Sequence, residues 1–301
     1  MNRTSILLIF VLAIGFIGVG TGCDSATFDA LESDVVVEQV LVADEPLPPL
    51  HLSRTAKLEG TFDFTQQAIR NAKVHLSLQS GGTIPFKEHP ETPGVYWPSD
   101  PAHVVESGGT YHLQIIIPGE AASIRGATVV PGRFEILAAT LDSAVYQAAE
   151  QLLLTITPSQ SQGRTLNYYI FVTEAMDVRA DQLVPFAADV FEAANGDLEL
   201  DDLRTSGSPL VSESNFDFNP DGTITIRYPW VGINFFGLNI VRLNVVDQNL
   251  YDLIRSQSIQ QGGSTFGPGE IPNPIEHLGG VHGIFGSVAR ATHRLTVLRG
   301  E

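Results

Sequence analysis

Asp217, Asn219 and Asp221 occupy alternate positions ahead of Gly222, with Ile224 two residues further on. Oxygen donors at every second residue before a turn-making glycine form the front half of a calcium loop, in which carboxylates converge on a hard cation. The back half departs from that pattern, because Tyr228 stands where a bidentate acid belongs. The letters Asn219-Pro220-Asp221-Gly222 also spell a plain hairpin turn. A second candidate is Glu276-His277 with His282 beyond the Gly279-Gly280 pair. Two imidazoles and a carboxylate there could converge on zinc, although no His-Glu-x-x-His spacing sets them on one helical face. The glycines equally suit a tight passage against a sheet. In the run from Asn195 to Asp202, the acids Asp197, Glu199, Asp201 and Asp202 offer a site for a divalent cation or basic partner, or a solvated loop.

Aromatic residues crowd into the stretch Arg227 to Gly237, interrupted by Pro229 and Gly232. Ring faces stack on sugars or plug an apolar groove, so Tyr228, Trp230, Phe235 and Phe236 are the candidate ligand or partner surface. The same rings would equally fill a strand-rich core. No catalytic residue can be named: a G-x-S-x-G elbow, a Ser-x-x-Lys pair, a phosphate loop and a dinucleotide fingerprint are all missing, and no cofactor is expected. The 34 acidic residues offer many carboxylate pairs for glycoside hydrolysis, and sequence gives no separation by which to choose one.

The elements that must position these groups are strands. Ala72, Val74, Leu76 and Leu78 alternate with polar residues, as do Tyr111, Leu113, Ile115 and Ile117, then Leu152, Leu154 and Ile156, then Ile224, Ile226 and Tyr228. Period-2 alternation is the mark of half-buried antiparallel strands. Turn clusters such as Ser80-Gly81-Gly82 and Ser107-Gly108-Gly109 separate them. Helix signals are few: Asp247 to Gln261, with Asp247 as cap and Leu250, Leu253 and Ile254 on one face, and a weaker one over Pro185 to Asn195. The predicted fold is all-β, an N-terminal immunoglobulin-like β-sandwich over 35–137 followed by a larger β-rich domain over 138–301 with one short helix.

Net charge is −17, with 17 basic residues of which only three are lysine. So acidic a surface repels phosphate and speaks against nucleic-acid binding. The single cysteine, Cys23, excludes disulfide scaffolds and Cys-ligated clusters. Arg3, the 14-residue apolar run Ile6 to Val19 and the small residues Gly20-Thr21-Gly22 precede it. That run is short for a membrane span and fits an export signal, so 1–22 is predicted to be a lipoprotein signal peptide. Gly20 stands where such signals usually carry an aliphatic residue. On this reading Cys23 is the lipid attachment point, held by acyl chains at ~0.8 kcal/mol per buried CH₂. Residues 23–34 form the tether. An ordinary secretory signal or an uncleaved anchor are the alternatives.

Several phrases resemble one family: Val35-Val36-Val37-Glu38, Leu50-His51-Leu52-Ser53-Arg54-Thr55, Ile69-Arg70-Asn71-Ala72-Lys73-Val74, Pro93-Gly94-Val95-Tyr96 and Gly109-Thr110-Tyr111-His112-Leu113. Near the end, Leu250-Tyr251-Asp252-Leu253 and Gly279-Gly280-Val281-His282-Gly283-Ile284-Phe285-Gly286 continue the pattern. They resemble the domain of unknown function 4249 family over nearly the whole mature chain. The resemblance implies a Bacteroidota-type envelope lipoprotein, often found with TonB-dependent outer-membrane receptors, and supplies no catalytic residues. The expectation is a protein on the outer membrane, held through acylated Cys23, serving as a non-catalytic accessory or ligand-binding partner of a TonB-dependent transporter. The rivals are an envelope hydrolase with a carboxylate or metal site in the C-terminal domain, and a structural or adhesion module. A hydrolase requires a deep polar pocket with converging acids or histidines, an accessory protein an exposed aromatic patch.

Overall fold

The computed structural model describes residues 33–56, 63–161, 165–258 and 275–300. Cys23, the leader and most of the tether lie outside the described residues. Seven strands come first: β1 (Val35–Val42), β2 (Leu50–Arg54), β3 (Lys73–Leu78), β4 (Thr83–Glu88), β5 (Val95–Pro98), β6 (Thr110–Ile116) and β7 (Ile124–Val129). A one-turn helix, α1 (Phe64–Gln67), lies between β2 and β3. Ten more follow: β8 (Ile136–Ala139), β9 (Ser143–Val145), β10 (Leu153–Ile156), β11 (Tyr168–Ala175), β12 (Thr205–Gly207), β13 (Val211–Ser212), β14 (Asp217–Phe218), β15 (Ile224–Arg227), β16 (Gly237–Val246) and β17 (His282–Leu298). Both helix candidates form, as α2 (Pro185–Ala193) and α3 (Gln248–Ser258). The fold is an all-β sandwich.

Alternation does the work it promised. In β3 and β6 the inward residues Val74, Leu76, Leu113 and Ile115 are buried, and Leu154, Ile156, Ile224 and Ile226 of β10 and β15 have no exposed surface. Tyr96 and Tyr111 are fully buried too, and their hydroxyls are satisfied. Tyr96 donates to the Ile69 carbonyl at 2.8 Å, and Tyr111 accepts from the Glu106 N–H at 2.8 Å. A buried hydroxyl without a partner costs ~1–3 kcal/mol, so these bonds make the rings usable as core.

One large sheet runs β12-β11-β16-β17-β1-β2-β5-β4-β3-β6-β7, and a small one runs β14-β15-β10-β8. The first strand and the last lie side by side: β1 pairs β17 in parallel from Val36 opposite His282 to Val42 opposite Val288. From Val288 onward β17 pairs antiparallel with β16. The strand therefore belongs to both the 35–137 segment and the 138–301 segment, and the large sheet crosses the line between them. Residues Phe285 to Ala289 of β17 are buried without alternation, since α3 and β7 pack against this stretch.

The glycine-rich closing segment is what this crossing requires. A Cβ on Gly283, whose φ is +106°, would lie 2.0 Å from the Val37 carbonyl oxygen, and one on Gly286 would lie 2.8 Å from Leu250 Cγ of α3. Asp247 caps α3 through the Leu250 N–H at 2.9 Å and accepts from Thr128 Oγ1 of β7 at 2.5 Å. Thr128 Oγ1 also lies 2.6 Å from Ser287 Oγ, and Asn249 Nδ2 donates to the carbonyls of Ala127 and Phe285. This buried polar lattice ties β7, β17 and α3 together.

Candidate functional site

A cleft of about 780 Å³ opens where β15 and its flanking residues face the β11–β13 edge of the large sheet. Its apolar wall is three rings, Phe171, Phe216 and Tyr228, with centroids 5.9 Å apart for Phe171–Phe216 and 5.8 Å for Phe171–Tyr228. Residues Ser206 to Pro209, on and just after the strand beside Phe171, and Val211 complete the lining, and Asp217 and Arg227 stand exposed among the lining groups. The alternation of β15 sets this up: Ile224 and Ile226 go to the core, which turns Thr225 and Arg227 outward. Asp217 lies opposite Thr225 across the β14–β15 hairpin, so all three share one face.

Behind the wall the rings are fixed by polar contacts. The hydroxyls of Tyr228 and Thr173 are hydrogen-bonded to each other. Burial pushes the Tyr228 phenol up to about 12, so it stays protonated near neutrality. Phe216 meets Tyr169 edge-on at 5.3 Å, and Tyr169 reaches toward buried Glu213. Burial first, and then the charge of Glu213, push the Tyr169 phenol far above its usual value. Glu213 itself accepts from the Asn167 N–H at 3.1 Å and from Asn167 Nδ2 at 2.9 Å. Ser206, opposite Thr173, turns to the face of the cleft, whereas Gly207, opposite Val172, turns to the other face, with no atom within 4 Å of where a Cβ would sit.

Of the four aromatic residues singled out in the sequence, the structure brings only Tyr228 to the cleft. Phe235 and Phe236 are buried, and half-buried Trp230 packs against the core with Tyr146, whose ring lies 5.7 Å from Trp230 and 5.9 Å from Phe236. Arg299 caps that stack, its guanidinium 4.2 Å from the Phe236 ring centre. These three rings are core between strands rather than an exposed edge. Sequence reasoning missed Phe171, Phe216 and Arg227. The signal for Arg227 was present in the alternation of Ile224 to Arg227, whereas nothing local marks Phe171 or Phe216 as lining a cleft.

Asp217, Asn219 and Asp221 lie in the β14–β15 hairpin. The Gly222 N–H donates to the Asn219 carbonyl at 3.0 Å, and Asn219 Nδ2 donates to the hydroxyls of Thr223 and Thr225. The Thr223 hydroxyl and N–H both donate to Asp221, lowering its carboxyl below the usual range. Asn219 and Asp221 thus have turn-making roles, whereas Asp217 stands in β14 ahead of the turn, and among the described residues no three His, Cys, Asp or Glu gather into a metal-holding group. His277 Nε2 lies 2.9 Å from Asp252, whereas His282 Nδ1 lies 3.0 Å from Glu276. The two imidazoles therefore serve different carboxylates. In the acidic run, Glu199 and Asp202 form the capping box of a short 3₁₀ turn and Asp201 pairs with Arg204 at 2.6 Å.

An all-β sandwich with an aromatic-walled cleft between its sheets defines the class of protein. A family model described as Domain of unknown function (DUF4249) matches residues 25–294, and the chain belongs to that family. No curated protein matches. Among solved structures, a crystal structure of human protocadherin-24 EC1-2 aligns over 89% of this chain and 99% of its own, at 9% identity and a TM-score of 0.19. Extracellular cadherin domains 3–6 of protocadherin gamma B2 align over 88% of this chain and 49% of theirs, at 11% identity and a TM-score of 0.16. Likenesses this faint carry no argument. No described helix is long and apolar enough to cross a membrane.

Proposed function

We propose that this protein is a lipid-anchored envelope component that binds a small ligand in the cleft beside β15 and works without chemical turnover. The cleft is the observation that carries this reading. Its volume lies within the range of small-molecule sites, and its lining pairs a broad apolar wall with a few polar groups. Those polar groups suit holding rather than transforming: one carboxylate, one guanidinium, a buried phenol, and the neutral side chains of Ser206, Ser208, Asn215 and Thr225. The anchor reading rests on the leader, on Cys23 behind small residues, and on an acid-rich tether. The accompanying proposal, service to a TonB-dependent receptor at the outer membrane, rests on the family resemblance.

Ser206→Phe tests the binding reading, because Ser206 lines the cleft and lies opposite Thr173 across the β11–β12 ladder, so the new ring would share the face of the cleft. The variant is expected to keep the wild-type melting temperature and to lose cleft-dependent enhancement of the apolar dye N-phenyl-1-naphthylamine. Equal dye fluorescence in both proteins would sink the cleft as the site. For the anchor, mass spectrometry of the protein from native membranes should find an acylated N-terminal Cys23, and affinity capture should bring a TonB-dependent receptor with it. An intact leader on cytosolic protein would remove the anchor.

A further inference from the structure

We infer that the cleft takes a small zwitterion bearing an apolar side chain, of amino-acid or dipeptide size; this rests on the reading of the cleft as a binding site. The inference starts from how this chain spends its few positive charges. Against 34 acids there are 17 basic residues, and several arginines are engaged: Arg54 with Glu120, Arg133 with Glu135, Arg242 with Glu174, Arg290 with Glu45. The side chains of Arg125, Arg294 and Arg227 make no hydrogen bond or ion pair with any described residue, but of these only Arg227 lines the cleft, and the side chain of Asp217, equally unbonded, lines it too. Arg227 and Asp217 are diagonal neighbours on one face, since Asp217 stands opposite Thr225 and Arg227 lies two residues along. Cβ atoms so related are about 7–8 Å apart, close enough for one small molecule to reach both.

Each charge left open selects one end of the ligand. The Arg227 guanidinium offers a planar fork for a carboxylate, and the Asp217 carboxylate accepts from an ammonium. The Phe171, Phe216 and Tyr228 rings beside them take up an apolar side chain, and the serine-rich rim of Ser206 and Ser208 adds small polar groups. A hydrocarbon would leave both charges facing nothing. A simple anion would satisfy Arg227 while bringing its charge toward Asp217.

Calorimetric titration of the full chain with four probes decides it: the dipeptide Leu-Phe, L-phenylalanine, 3-phenylpropionate and phenethylamine. The zwitterions are expected to bind at least tenfold more tightly than either half-ligand. Arg227→Gln should weaken 3-phenylpropionate at least tenfold and leave phenethylamine unchanged, and Asp217→Asn should do the reverse. Both side chains are exposed and unbonded to described residues, so both variants should melt with the wild type. Zwitterions no tighter than the half-ligands, or insensitive to both substitutions, would overturn the ligand class. If the naphthylamine dye still depends on Ser206 in that case, the cleft survives as a site for something else. If the dye too ignores the Ser206→Phe change, the binding reading itself has failed.

Discussion

The seam where β1 meets β17 and the cleft beside β15 use the same kinds of residue for opposite ends. Both place glycine, aromatic rings and acids within a few residues of a strand. At the seam, Gly283 and Gly286 let backbone and helix approach until no side chain would fit, and Phe285 is buried between them. Its acid, Asp247, is buried and bonded on both sides, to Thr128 and to the N-terminus of α3. At the cleft, Gly207 lies in the lining, the rings border a void, and the side chains of Asp217 and Arg227 are exposed with no partner among the described residues. A region built to be closed has satisfied its polar groups internally; one built to receive something has left them for the visitor.

Substitutions that treat the two regions alike should reveal the difference. The largest effect is expected at Gly283→Ala, which must place a methyl group on the Val37 carbonyl from a backbone at φ +106°. A loss of at least about 4 kcal/mol, or no folded protein, is expected in urea unfolding, since positive-φ strain and a backbone clash combine. A near-neutral result would mean that β1 and β17 are not paired as described.

Thr128→Val comes next. It keeps the shape of the side chain but strips the hydroxyl that lies between Asp247 and Ser287 in the buried lattice. Leaving a buried carboxylate one donor short should cost about 1–3 kcal/mol in the same assay. A comparable loss from Ser206→Phe at the cleft would erase the contrast between the regions.

Alkaline titration gives the smaller effect. The buried phenols of Tyr228 and Tyr169 have folded pKa values above the unfolded value, so their contribution is complete below about pH 10 and fades as pH rises through the folded ones. For Tyr228, at about 12, the loss is roughly 2 kcal/mol by pH 12. Melting curves from pH 8 to 11 should fall, and Tyr228→Phe should fall less steeply. An unchanged slope in that variant would show that the ring wall of the cleft is wetter than its burial indicates.

Much of the fold was legible because it is written locally. The alternation at Val74 and Leu76, at Leu113 and Ile115, and at Ile224 and Ile226 assigns each side chain to a face whatever the neighbouring strand. Asp247 announced the start of α3, since a cap acts on residues three positions away. The site was far less legible. Trp230, Phe235 and Phe236 look the same in sequence whether they plug a partner or fill a core, and only packing against Tyr146 and Arg299 decided it.

What the sequence by itself determined is the period of strands such as β3, β6, β10 and β15, the Asp247 cap of α3, the hairpin at Asn219 to Gly222 and the outward aim of Arg227. Each depends on residues within a turn or two of one another. Only the tertiary structure decided that the first strand and the last lie side by side, that Gly283 must be glycine, and that Phe171, Phe216 and Tyr228 form one wall. Those outcomes join residues tens to hundreds of positions apart. They depend on how two sheets settle against each other, which no local periodicity encodes.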